Sequence, residues 1–85
     1  MSKKDDYTWI IRGKQRKKII KSLNKEKIPT QIKEETKISL NNVSDVLREF
    51  KKRKIALCLN PKDKTGRLYK LTPKGMRIRE RMEKY

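Results

Sequence analysis

Amide, hydroxyl and cationic side chains gather on one side of a segment near the middle of the chain. The outward residues of this segment are Asn41, Asn42, Ser44, Asp45, Arg48, Lys51 and Lys52. Asparagine can form two hydrogen bonds with adenine, arginine can do so with guanine, and aspartate can accept one from cytosine. The segment therefore predicts DNA binding. Two simpler interpretations stay open: Asp45 can pair with Arg48 at i, i+3, and Asn41 and Asn42 can support a helix start.

The same segment has the spacing of an amphipathic helix. Val43, Val46, Leu47 and Phe50 follow one another at i, i+3, i+4 and i+7, which places them on one apolar stripe. Ser39 has the side-chain oxygen that caps a helix start. We predict a long helix over about residues 39–54.

A shorter helical pattern comes before it and ends at Thr36. Pro29 biases the preceding residue away from the helical region, so Thr30 is the expected N-cap. Lys37 follows at a turn position where glycine is common, which predicts an unusual or strained turn. A short helix, a tight turn and a longer helix with polar groups outward form a helix-turn-helix arrangement.

The charge of the chain restricts its partners. Its 85 residues include 26 Lys and Arg against 10 Asp and Glu, a net charge of +16. A small chain this basic requires an anionic partner, either nucleic acid or a membrane surface. We find no apolar run of about 18 residues, no signal peptide and no lipidation motif, so we expect no membrane partner. The single Cys58 excludes an internal disulfide and predicts a reducing, cytoplasmic setting.

Enzymatic chemistry is not expected. The chain has no histidine, no Gly-rich phosphate loop and no nucleophile with a base beside it. We therefore expect no catalytic residue, no cofactor and no small-molecule ligand.

The remaining segments predict supporting elements. Residues 1–8 are polar and are expected to be frayed. Trp9 is interpreted either as an anchor for the N-terminus or as a stacking platform for bases. Residues 13–24 predict a first helix with a strongly basic surface, which is either a solvated face or part of a phosphate-attracting field. Its cationic residues are Lys14, Arg16, Lys17, Lys18 and Lys21.

After Lys54 the apolar period changes from 3.6 to 2, which predicts strands. Ile55, Leu57 and Leu59 alternate with smaller or polar residues, as in a half-buried strand. The segment 60–66 predicts a loop from its Pro, Asp and Gly content, and residues 67–71 predict a second strand. Two strands joined by a basic loop after a long helix form a wing. Thr72 is then expected to cap a last helix, with Pro73 at its first position.

Two motifs, IPTQIKEETKISLNNVSDVLREFKKRKIALCL and GRLYKLTPKG, carry a resemblance to a known class. Together the two motifs cover about Gln15 to Met82. They resemble archaeal winged helix-turn-helix transcriptional regulators, in the broad ArsR-like and MarR-like class. The resemblance implies a mainly helical α+β fold with a three-helix core, a two-stranded β wing and a C-terminal helix over 76–85, all in a single domain 1–85. Some members of this class sense metals through Cys and His. That property is not carried over, because histidine is absent and the only cysteine lies in a wing strand.

The resemblance also implies the DNA contacts. The long helix enters the major groove of double-stranded DNA, and the basic wing lies on the flanking backbone or minor groove. The implied base-reading residues are Leu40, Asn41, Asn42, Ser44, Asp45 and Arg48. The implied phosphate-binding residues are Thr30, Gln31, Lys51, Lys52, Lys62, Lys64 and Arg67. The class usually binds as a two-fold homodimer, for which the seam residues here are Met76, Ile78, Met82 and Tyr85.

Two other functions remain open. A sequence-indifferent DNA-packaging or RNA-associated protein would suit the charge of +16 equally well. A winged-helix module that binds proteins would not need cations on the long helix, the first helix and the wing together.

Overall fold

Five helices and a two-stranded antiparallel hairpin make up the described part of the chain. The structure is a computed structural model that describes residues 6–63 and 66–84. The elements in chain order are α1 (Asp6–Ile11), α2 (Lys14–Ser22), α3 (Pro29–Thr36), α4 (Leu40–Lys52), β1 (Ala56–Cys58), β2 (Tyr69–Leu71) and α5 (Pro73–Lys84). The protein is thus a mainly helical α+β domain with its hairpin directly before the last helix.

The apolar stripe of α4 forms the centre of the core. Val43, Leu47 and Phe50 are fully buried, and Val46 is half-buried at the edge of the stripe. The Ser39 hydroxyl accepts a hydrogen bond from the Asn42 backbone N–H at 3.3 Å, which caps the helix start. The predicted helix and its cap are therefore confirmed, and its ends lie one to two residues inside the predicted bounds.

Helices α2 and α3 pack on α4 and close the core around it. Ile19 and Ile20 from α2 and Ile32 from α3 are fully buried there. Burying one such side chain contributes about 1.5–3 kcal/mol. These few residues therefore contribute much of the free energy that holds the three helices together.

The start of α3 differs from the prediction. Pro29 is the first helical residue and Ile28, in an extended conformation, is the N-cap. Thr30, the expected cap, lies inside the helix. The side chain of Gln31 takes over the capping role, because its Oε1 accepts from the Ile28 N–H at 3.0 Å. Proline at the first helical position lacks only a hydrogen that would have no partner within the helix.

The turn between α3 and α4 is strained, as its sequence predicts. Lys37 has φ 65° and ψ 22°, the left-handed conformation that glycine adopts most easily. Its N–H donates to the Lys33 carbonyl at 2.8 Å. The Thr36 hydroxyl donates to the Ile32 carbonyl and accepts from the Ile38 N–H, so both sides of the turn are fixed.

The hairpin is joined by a third stretch of extended chain. β1 and β2 pair with Ala56 opposite Leu71 and Cys58 opposite Tyr69. On the other edge of β2, Lys27 and Tyr69 exchange both backbone hydrogen bonds, at 3.0 and 2.9 Å. From the sequence, only the residue before Pro29 was expected to be non-helical. The additional pairing places β2 in the middle and leaves β1 as an outer strand.

The face of β1 that is buried is not the one that its alternation predicts. Ile55 and Ala56 are buried, whereas Leu57 and Leu59 are 38% and 46% exposed. The reason is that Ile55, which follows α4, is still bonded to the end of that helix: its N–H donates to the Phe50 carbonyl at 2.8 Å. The strand therefore begins at Ala56, and its alternation is shifted by one residue.

Helix α5 begins where the sequence predicts. The Thr72 hydroxyl accepts from the Gly75 N–H and donates to the Lys54 carbonyl, which ties the helix start to the end of α4. A Cβ on Gly75 would lie 2.2 Å from the Ile55 carbonyl oxygen, so only glycine permits this approach. Ile78, expected at a dimer seam, is instead buried in the core of its own domain. Tyr85 lies outside the described residues.

Part of the N-terminal stretch predicted to be frayed is helical, while residues 1–5 of it lie outside the described residues. Asp6 to Thr8, expected to be frayed, belong to α1, and Ile10 of this helix is fully buried. The Asp6 carboxylate accepts from Arg53 at 2.9 Å and forms an ion pair with Lys74 at 2.6 Å. These contacts hold α1 against the end of α4 and the start of α5. Among the helices of the described chain, none is long and apolar enough to cross a membrane.

Candidate nucleic-acid interface

The exposed side of α4 carries a row of polar side chains. At about 100° of rotation per residue, Asn41, Asp45, Arg48 and Lys52 lie opposite the buried stripe. All four are exposed to solvent. A helix that projects such a row beyond the body of a domain can present it to the edges of base pairs.

The other predicted base-reading residues lie on two separate flanks of this row. Leu40 and Ser44 share one flank with Lys51, whereas Asn42 lies on the other flank beside the exposed Glu49. Leu40 is an exposed apolar side chain of the kind that can contact a thymine methyl group. The six residues therefore do not form one flat surface, and the Leu40 flank is the more cationic.

Asp45 and Arg48 form the ion pair that the simpler interpretation predicts. The Arg48 Nη1 donates to the Asp45 Oδ1 at 3.0 Å, and both side chains are 68% exposed. An exposed pair of this kind contributes about 0–1 kcal/mol to stability. A partner such as a guanine or a phosphate can therefore replace Asp45 at little cost.

Asn60 organises the loop of the hairpin. Its Nδ2 donates to the Asp63 carboxylate at 2.8 Å and to the Gly66 carbonyl at 3.2 Å, and its Oδ1 accepts from the Leu68 N–H at 2.6 Å. The sequence pattern identifies Asn60 only as the first residue of the predicted loop. Its position before a proline and a turn sequence is the signal that could have identified it.

The predicted cations of the loop are exposed in the part that the structure describes. Lys62 has no partner among the described residues, and the Arg67 Nε donates to the Asp63 carbonyl at 2.7 Å. That hydrogen bond orients the guanidinium while its charge stays in solvent. Lys64 lies outside the described residues.

Two of the predicted phosphate contacts lie in the first turn of α3. Thr30 and Gln31 are exposed, and the N–H groups of a helix start attract anions. The Oε1 of Gln31 is engaged by Ile28, which leaves its amide nitrogen to donate. At the far end of α4, Lys51 and Lys52 are also exposed.

Trp9 is an anchor and not a platform for bases. The guanidinium carbons of Arg16 and Arg53 lie 4.2 and 3.9 Å from the centroid of its ring, and so close an approach by two groups requires opposite faces. Its ring also meets Phe50 edge-on at 5.9 Å. With both faces covered, Trp9 cannot stack on a nucleotide base in this structure.

A buried lysine connects the hairpin to α3. Lys27 is 5% exposed, and its Nζ donates to the Glu35 carboxylate at 2.6 Å. Because the backbone of Lys27 pairs with β2, this ion pair connects the hairpin to α3. Nothing in the local sequence pattern around Lys27 indicates that it is buried.

Comparisons with models of protein families, with curated proteins and with solved structures found no match. Within residues 6–63 and 66–84 there is no group of three His, Cys, Asp or Glu residues placed to hold a metal ion.

Proposed function

We propose that this domain is a winged helix-turn-helix regulator that binds double-stranded DNA and reads its sequence. In this proposal α3 and α4 form the helix-turn-helix, and the hairpin with its loop forms the wing. The observation that carries the proposal is α4 itself. It has a fully buried stripe on one side and the row Asn41, Asp45, Arg48 and Lys52 on the other.

The wing would keep a fixed position relative to the reading helix. Lys27 pairs with Tyr69 through its backbone and with Glu35 through its side chain, so the hairpin is tied to α3. Thr72 ties the other end of the hairpin to the C-terminal end of α4. A loop held in this way can lie on the backbone beside the groove that α4 enters.

Charge supplies the affinity in this proposal and α4 supplies the specificity. Lys51, Lys52, Lys62 and Arg67 are exposed cations suited to phosphates, which are present in every sequence. Arg48 would exchange Asp45 for a guanine edge where the sequence provides one. The left-handed turn at Lys37 sets the angle between α3 and α4 and hence their approach to the groove.

In vitro selection from random duplex DNA, followed by salt titration, tests the proposal. With about six phosphates contacted, the log–log slope of affinity against salt concentration should lie near −5. The protein should bind the selected site at least about 10³-fold more tightly than it binds bulk DNA. A slope shallower than about −2 contradicts phosphate binding.

Sequence-indifferent packaging is the second candidate. The net charge of +16 favours it, and so do the exposed lysines of α2, which lie apart from α4. It predicts the same steep salt dependence without a preferred sequence. The selection experiment therefore separates the two candidates.

A further inference from the structure

Four lysines of α2 form a ridge that the proposed α4 interface does not use. Lys14, Lys17, Lys18 and Lys21 follow at i, i+3, i+4 and i+7, and all are exposed. We call this set the lysine ridge. It lies on the side of α2 opposite the buried Ile19 and Ile20, so its side chains point directly into solvent.

The lysine ridge is neither neutralised nor interrupted. Helix α2 contains no acidic residue. Within the described chain, none of the four lysines forms an ion pair or donates a side-chain hydrogen bond. The nearby Glu35, which lines a shallow groove with Lys18 and Lys21, is already paired with Lys27. The ridge therefore concentrates four positive charges over about 10 Å of helix.

Both ends of the ridge are held in place. Near its start, the Arg16 Nη1 donates to the Trp9 carbonyl at 2.7 Å and its guanidinium stacks on the indole ring. At its end, Arg79 of α5 donates to the Lys21 carbonyl at 3.1 and 3.2 Å. A surface fixed in this way loses little backbone entropy when it binds a partner.

The lysine ridge and the reading row of α4 belong to different faces of the domain. α2 and α4 pack on each other through the common core, and each carries its polar row on the side away from that core. The domain measures 34 × 26 × 20 Å along its principal axes. DNA is stiff, and bending a short site by 40–90° costs about 1–6 kcal/mol. A single duplex bound along α4 would have to bend in this way to reach the ridge.

We propose that the lysine ridge binds the backbone of a second duplex, so that one domain bridges two segments of DNA. This inference rests on the proposed function, since it requires that α4 holds the first duplex. The ridge offers charge alone, without amides or other groups that could read base edges. Its contact with DNA is therefore independent of sequence and strongly sensitive to salt.

A polyanion suits the ridge better than an acidic protein does. An amphipathic acidic helix would require an apolar surface along its contact. Tyr7, Ile11 and Met82 line one groove with the four lysines, but Tyr7 and Met82 are half-buried and only Ile11 is exposed, at 37%. The apolar surface beside the ridge is therefore small, whereas all four lysines are exposed to regularly spaced phosphates.

A capture experiment with a matched control tests the bridge. One duplex is tethered to beads, the protein is added, and a fluorescent second duplex is offered at low salt. The ridge variant Lys14→Gln, Lys17→Gln and Lys21→Gln removes three charges. The control variant Lys25→Gln, Arg77→Gln and Lys84→Gln removes three exposed charges elsewhere. Glutamine has nearly the helix propensity of lysine, so both variants should fold, and thermal melting checks this.

We expect the ridge variant to capture at least about tenfold less of the fluorescent duplex than the unmodified protein does. Its affinity for the tethered duplex should stay within a few-fold of the unmodified protein, and the control variant should keep its capture. Equal losses in both variants would show an effect of bulk charge and overturn the inference. Full capture by the ridge variant, as expected if a dimer holds the two duplexes, would also overturn it.

The same experiment separates this inference from the proposed function. Protein that binds the tethered duplex but captures no second one refutes the bridge alone, whereas protein that binds neither refutes DNA binding itself. A parallel titration uses poly-L-glutamate. If the ridge variant loses binding to this polymer while keeping its capture of DNA, the ridge serves an acidic protein and the inference fails.

Discussion

The Arg48 guanidinium lies 3.0 Å from the Asp45 carboxylate on the side of α4 that faces away from the core. On a surface proposed to meet phosphates, this pair places an acidic residue beside a cation. In the proposed function, the acid would repel DNA that offers Arg48 no better partner and would release Arg48 where a guanine does. The pair would thus give α4 a means of rejecting wrong sequences.

This relationship leads to the first prediction. Arg48→Ala should cost about 1–3 kcal/mol of binding free energy on a selected site and much less on random duplex, because a base contact is lost only where the right base is present. Asp45→Asn should strengthen binding to random duplex, because it removes a negative charge and frees Arg48. Parallel fluorescence titrations on the two duplexes measure both effects.

Lys62→Ala is the control for that experiment. It should weaken both complexes about equally and make the salt slope shallower by roughly one unit, as for a phosphate contact. If Arg48→Ala also weakened both equally, α4 would hold DNA without reading it.

The second prediction concerns the buried Lys27 and its partner Glu35. Glu35→Ala should lower the free energy of unfolding by about 1–3 kcal/mol, because it leaves a buried ammonium without its acceptor. Lys27→Met should change it by less than about 1 kcal/mol, since the apolar stem is kept and Glu35 can turn to solvent. Urea denaturation gives both values. Glu34→Ala, next to Glu35 and exposed, is the control and should be almost neutral. An equal loss in all three variants would contradict the role of the ion pair.

The third prediction concerns acid stability and Asp6. Burial raises the pKa of the Asp6 carboxyl, but hydrogen bonds and positive charge from Lys74 and Arg53 outweigh it and hold the pKa below its usual value. A carboxyl with a lowered pKa stabilises the fold above its unfolded pKa, and this contribution is lost as the pH falls through the folded pKa. Melting temperatures between pH 6 and pH 2.5 should therefore fall less steeply for Asp6→Asn than for the unmodified protein. Parallel curves for the two proteins would exclude Asp6 as a source of the acid sensitivity.

The fourth prediction concerns the turn before α4. A non-glycine residue in the left-handed conformation is strained by about 1–2 kcal/mol. Glycine removes this strain, but part of the gain is offset because glycine loses more conformational entropy on folding. Lys37→Gly should therefore raise the free energy of unfolding by about 0.5–1 kcal/mol. Lys33→Gly, in the interior of α3, should lower it by about 1 kcal/mol. Thermal or urea unfolding that ranks the two variants equally would show that Lys37 is not strained.

Local signals explain which parts of the fold can be predicted from the sequence. The stripe and cap of α4, the strained turn at Lys37 and the cap at Thr72 all depend on residues within a few positions of one another. Helix α1 does not, because it is held by contacts of Asp6 with Arg53 and Lys74, which lie far along the chain. The burial of Lys27 likewise depends on its pairing with Tyr69, more than forty residues away.

The candidate site shows the same division. The pair of Asp45 and Arg48 follows from helical spacing, so it is predictable. The division of the predicted base-reading residues between two flanks follows from the same helical spacing and from the apolar stripe, so it is predictable as well. The exposure of Leu57 and Leu59 depends on where α4 gives way to β1, and alternation alone cannot locate that residue.

The outer position of β1 has a consequence for how the protein behaves at high concentration. Its open edge presents Leu57 and Leu59 to solvent, in a stretch of chain without charges. Within residues 6–63 and 66–84 no strand pairs with this edge, and an edge of this kind is a template for strand addition by a second molecule. Mutual repulsion between molecules of charge +16 opposes that encounter, but at 1 M salt the screening length shrinks to about 3 Å. We therefore expect colloidal stability to fall as the ionic strength rises, through self-association at the hairpin edge.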